Sequence, residues 1–110
     1  MGTIKSFTDI SQSKKLAKIL PLESADMYYW CADHYPKEDW IIEVGKPDDN
    51  YECICAWSLS ALLRLIPTFN MFKRTIECRI ETTDHVIDKA CDPIDAAFEM
   101  ICWLKENNKL

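Results

Sequence analysis

Residues 92–110 read DPIDAAFEMICWLKENNKL. The opening letters specify a helix start. Asp92 is a good N-cap, Pro93 suits the first helical position, and Asp95 puts a negative charge in the first turn, where the helix dipole favours it. At about 100° per residue, Asp95, Glu99 and Glu106 share one narrow stripe. Ile94, Ala97, Phe98, Ile101 and Leu104 form an apolar face, and Ala96, Met100 and Trp103 widen it. The apolar arc spans roughly 260°, whereas a surface helix needs only somewhat over 100°. One sheet cannot cover that circumference, so this helix must also meet other helices or a second chain.

The preceding segments supply the sheet. TIECRIET (75–82) alternates cleanly, with Ile76, Cys78 and Ile80 on one side and Glu77, Arg79 and Glu81 on the other, which predicts a half-buried strand. NMFKR (70–74) before it and HVI (85–87) after it are candidate neighbours. In YECICAWSLSALLRLIP (51–67) the period changes: Tyr51, Cys53 and Cys55 alternate as in a strand, and a helix follows from Ser58, a plausible N-cap. Pro67 ends that helix. Tyr28–Trp30 and Trp40–Val44 are aromatic and β-branched runs connected by the polar DHYPKED (33–39), which predicts a β-hairpin, and GKPDDN (45–50) after them is a strong turn signal.

The chain begins with a plain amphipathic helix in SFTDISQSKKLAKILP (6–21). Ile10, Leu16, Ala17, Ile19 and Leu20 lie on one side and Lys14, Lys15 and Lys18 on the other. Ser6 or Thr8 is the expected cap, with Ser6 and Asp9 spaced as in a capping box. Pro21 stops the helix. LAKILP and LLRLIP share this stop device without forming a repeat. The fold class expected is α+β: one domain over residues 1–110, with a small antiparallel sheet packed against three helices, including a long C-terminal one.

With 110 residues, 48% hydrophobic and 28% charged, the chain can bury a core without staples. The six cysteines then read as reduced, mostly buried thiols in a cytoplasm. No signal-peptide pattern and no membrane-length apolar run is present. The Gly2 and Ser6 outline of an acylation site is too short to weigh. The net charge of −5 is uneven: residues 21–55 hold nine acids against two lysines, while residues 1–20 hold four lysines against one acid. Direct nucleic-acid binding needs a basic face and is not expected.

The segments SADMYYW (24–30), WSLSALLRLIP (57–67) and DPIDAAFEMICWLKEN (92–107) resemble small phage- and prophage-encoded proteins of gut bacteria whose function is unknown. The resemblance runs from Lys14 to the C-terminus. Its most specific parts are Trp57-Ser58-Leu59 and the run from Asp95 to Met100. It implies a cytoplasmic setting in a bacterial or phage-infected cell. It brings no activity, cofactor or catalytic residue.

Four constellations could carry chemistry. Metal ligands are available in Cys53 and Cys55, His34 beside Asp33, His85 beside Asp84, and Cys91 beside Asp92. The Cys-x-Cys spacing is too tight for a zinc knuckle, and no second pair follows. A thiol nucleophile would need a cysteine beside an oriented histidine, and no nucleophile context surrounds any of the six. The carboxylate pairs Asp95/Glu99 and Asp48/Asp49 lack the unlike environments that acid–base work requires. Aromatic surface is the fourth: Trp30, Trp40 and Trp57 stand where exposure is easy, and such rings anchor interfaces.

The expectation is therefore a non-enzymatic protein with no cofactor, working through self-association or another protein. Trp40, Trp57, Met100 and Trp103 are the candidate interface residues. Two alternatives stand beside it: a Cys/His metal protein or enzyme, and an acidic decoy of a nucleic-acid-binding protein acting through residues 33–52.

Overall fold

The computed structural model describes residues 6–31, 40–46, 52–67, 70–73, 78–82, 85–90 and 92–110. Along the chain these form α1 (Ile10–Leu16), a 3-10 turn (Leu22–Ser24), β1 (Met27–Cys31), β2 (Ile41–Val44) and β3 (Glu52–Ala56). Then follow α2 (Leu59–Leu65), β4 (Asn70–Lys73), β5 (Cys78–Glu81), β6 (Val86–Ala90) and α3 (Pro93–Glu106). This is the α+β architecture expected, with a long C-terminal helix.

The strands are distributed over two antiparallel sheets of three, ordered β2-β1-β3 and β4-β5-β6. The chain crosses from one sheet to the other through α2. In the first sheet Tyr29 lies beside Ile42 and Ile54, and Met27 beside Val44 and Ala56. In the second, the β5–β6 connection is held by Thr82, whose N–H donates to the His85 carbonyl at 2.8 Å, while the His85 N–H donates to Thr82 Oγ1 at 3.2 Å.

Side-chain oxygens close the helix starts. Asp92 accepts from the Asp95 N–H, and Ser58 from the Ala61 N–H. The cap of α1 is Asp9 rather than Ser6 or Thr8: its carboxylate takes the Gln12 N–H and Gln12 Oε1 takes the Asp9 N–H. Thr8 is instead buried, its hydroxyl 2.7 Å from that of Ser13 and also accepting the Trp57 N–H at 3.1 Å. A buried hydroxyl needs partners, and these two supply each other.

A single core runs through the helices and both sheets. It holds Leu16, Leu20, Trp57, Leu62, Ile80, Ile94, Met100, Ile101 and Leu104, among others. Within α3 only Glu99, Lys105 and Glu106 are exposed. The broad apolar arc is covered inside one chain, because α3 packs against α2 and against β5 and β6. On a further side α1 runs past it, with Gln12 Nε2 donating to Asp95 at 2.8 Å and the Lys15 ammonium 5.7 Å from the Phe98 ring centre. Each fully buried Leu, Ile or Met side chain contributes about 1.5–3 kcal/mol of transfer free energy, so α3 is the main apolar contributor to this core.

Candidate functional site

Trp57 is not an exposed anchor. It is completely buried where it joins the end of β3 to the cap of α2. Its indole N–H donates to Ser24 Oγ at 2.9 Å, and Ser24 in turn donates to the Pro21 carbonyl. Its carbonyl accepts the Thr8 N–H at 2.9 Å. The polar handle that makes tryptophan useful at an interface is fully engaged within the chain. Met100 is likewise buried to 0% exposure and lines the core rather than an interface. The contacts that bury it are with its own chain.

Trp103 is half-buried and stacks on His85, the ring centres 4.1 Å apart and the planes 1° from parallel. Trp40 is half-buried and immediately precedes β2. Of the four candidates, it alone borders a strand edge that no other described strand pairs with.

That edge is the outer side of β2. The sheet order makes β2 an edge strand. Val44 is 80% exposed and Ile41 45%, and Glu43 between them is exposed and accepts from the Tyr28 hydroxyl at 2.8 Å. Side chains alternate along a strand, so Ile41 and Val44 project from opposite faces. The strand end is nonetheless fastened. Gly45, at φ +115°, turns the chain so that its N–H donates to the Asp26 carbonyl at 2.8 Å. The Lys46 ammonium then donates to the carbonyls of Glu23 and Ala25 at 2.9 and 2.8 Å. Asp26 also accepts from both the N–H and the hydroxyl of Ser58, tying β1 to the start of α2.

The other constellations gain little from the fold. Cys53 and Cys55 share a face of β3 beside Trp30 and Tyr28, and no group of three metal-capable side chains forms among the described residues. His34, Asp33, Asp84, Cys91, Asp48 and Asp49 lie outside the described residues. His85 is occupied by Trp103, Asp92 by its cap and Asp95 by Gln12. Burial pushes the Cys102 thiol above its ordinary pKa; Lys15 opposes the shift, and Glu106 and Glu99 add to it. That is the reverse of what a thiol nucleophile needs. No helix among the described residues is long and apolar enough to cross a membrane. No family model, curated protein or solved structure matches the chain.

Proposed function

We propose that the protein is a non-enzymatic interaction module, an accessory protein of phage or prophage type, that engages another polypeptide by strand addition along β2. The observation that carries this reading is the exposure of Ile41 and Val44 on opposite faces of one edge strand. A flat partner would cover one face and leave the other wet. A strand laid alongside β2 pairs with its main chain and covers both side chains from the flanks. The hydroxyl, imidazole and carboxylate groups of Ser58, His85, Asp92 and Asp95 are engaged in holding helices and turns, which supports a binding role over a catalytic one.

Charge favours a different polypeptide over a second copy. Residues 21–55 hold nine acids against two lysines, so pairing β2 with its own copy would bring two acidic segments together. A decoy role in the same segment is the second reading; it requires strongly salt-dependent capture of a basic, nucleic-acid-binding partner. The test is a photo-crosslinking residue placed at position 44, and in a separate variant at position 64, in a bacterial lysate. A discrete adduct at 44 that disappears on Ile41→Asp supports the reading. Equal labelling at both positions, or none at 44, overturns it.

A further inference from the structure

The hydrogen-bond phase of the first sheet decides which main-chain groups of β2 face outward. In an antiparallel ladder, pairs that exchange both N–H···O bonds alternate with pairs whose groups point away from each other. The Gly45 N–H donates to the Asp26 carbonyl at 2.8 Å, and these residues continue the register that sets Met27 beside Val44. Asp26 with Gly45, Tyr28 with Glu43 and Trp30 with Ile41 are therefore the bonded pairs. The N–H and C=O of Ile42 and Val44 point away from β1. The other side of the sheet agrees. This phase makes Met27 bond to Ala56 and turns the main chain of Trp57 outward. There the Trp57 carbonyl takes the Thr8 N–H at 2.9 Å, and the Trp57 N–H donates to Thr8 Oγ1 at 3.1 Å. The segment before α1 thus closes the edge just past β3, whereas no described residue meets the outward groups of Ile42 and Val44.

Side chains divide β2 by the same alternation: Ile41 and Glu43 share one face, Ile42 and Val44 the other. The Tyr28 hydroxyl holds Glu43 Oε2, and Glu43 Oε1 has no partner among the described residues. Glu43 is exposed, in a segment (21–55) with nine acids against two lysines. One of those lysines, Lys46, is engaged by the carbonyls of Glu23 and Ala25. An antiparallel strand laid on this edge makes bonded pairs at Ile42 and Val44 and non-bonded pairs at Ile41 and Glu43. Side chains approach most closely across the non-bonded pairs, so the residue opposite Glu43 is the one whose charge matters most.

We infer that β2 takes an antiparallel extended segment of the pattern apolar–basic–apolar–apolar. Its basic side chain lies on Glu43, and its apolar ones lie beside Val44, Ile42 and Ile41, in that order. This names the partner's chemistry for the strand-addition reading and rests on that reading. A second copy does not fit the pattern: in this register its own Ile41–Val44 would set Ile42 opposite Glu43 and Glu43 opposite Ile42.

The probe is the end-blocked peptide Thr-Val-Lys-Val-Ile-Thr, titrated into the full chain while amide shifts and amide exchange are followed by NMR. A second peptide carries Glu in place of Lys. Two more are N-methylated, one at the second valine, whose N–H bonds to Ile42, and one at the lysine, whose N–H points away. In the free protein the Ile42 and Val44 amides should exchange faster than those of Glu43 and Gly45, and the Lys peptide should slow the faster pair. It should bind at least about fivefold more tightly than the Glu peptide. Methylation should abolish binding at the valine and spare it at the lysine. Glu43→Gln keeps an oxygen for the Tyr28 hydroxyl and should erase the preference between the two peptides. Equal binding of the Lys and Glu peptides, protection in the opposite phase, or no binding of the Lys peptide would overturn the inference. Strand addition itself survives the first of these results, and it survives the last if the lysate adduct at position 44 is found; without that adduct both fall.

Discussion

His85 and Trp103 lie face to face, their ring centres 4.1 Å apart, and so join the β5–β6 turn to the last helix. Both are half-buried, and the stack closes the side of α3 nearest that turn. His85→Ala should destabilise by about 0.5–1.5 kcal/mol and Trp103→Ala by about 2–4 kcal/mol. A double-mutant cycle in urea should return a coupling of about 0.5–1.5 kcal/mol. Strict additivity would show that the stack has no energetic content.

Trp57→Ala removes the largest fully buried side chain among the described residues and leaves the Ser24 hydroxyl without its donor. A loss of about 3–5 kcal/mol is expected, enough to unfold a domain of ordinary stability. Trp57→Phe keeps most of the volume and should cost less. Chemical denaturation of the two variants checks the order.

Asp26→Ala strips both acceptors from Ser58, leaving its N–H and hydroxyl without their present partner. A partly buried donor without an acceptor costs about 1–3 kcal/mol. The same unfolding measurement reads it, and amide exchange should quicken first at the start of α2.

Gly45→Ala meets no steric obstacle among the described residues, none of which lies within 4 Å of the added carbon. The cost arises from φ +115°, which an L side chain rarely adopts. About 1–2 kcal/mol is expected, together with faster exchange of the Gly45 amide that bonds to Asp26.

Cys102 sets an alkaline limit. Its folded pKa is raised above the ordinary 9.0, mainly by burial, so the folded state favours the neutral thiol. The associated stability is fully present below the unfolded value and is lost as pH rises from there through the folded one. Cys102→Ser should flatten the alkaline fall in stability, and the native thiol should react more slowly with alkylating reagents than an unfolded one.

Much of this fold could be read directly from local chemistry. Asp92 with Pro93, and Ser58 ahead of an aliphatic run, mark helix starts because capping is decided within four residues. The excess apolar girth of α3 required contact with other helices or a second chain, and α2 and α1 provide it within the chain. Partition into two sheets was not legible, since it depends on which strands meet across α2. Nor was the role of Trp57. A tryptophan before a cap serves equally as anchor or core, and the acceptors that decide it, the hydroxyls of Thr8 and Ser24, lie 49 and 33 positions away. The open edge at β2 was visible only as a hairpin, because no residue pattern states which strand is last in its sheet.

The central claim is that α3 needs no second chain, and sedimentation equilibrium across a wide dilution series tests it most directly. The mass of one chain at every concentration, with α3 amides equally protected throughout, is the predicted result. A dimer that persists on dilution and dissociates when Trp103 is replaced by Asp would contradict it.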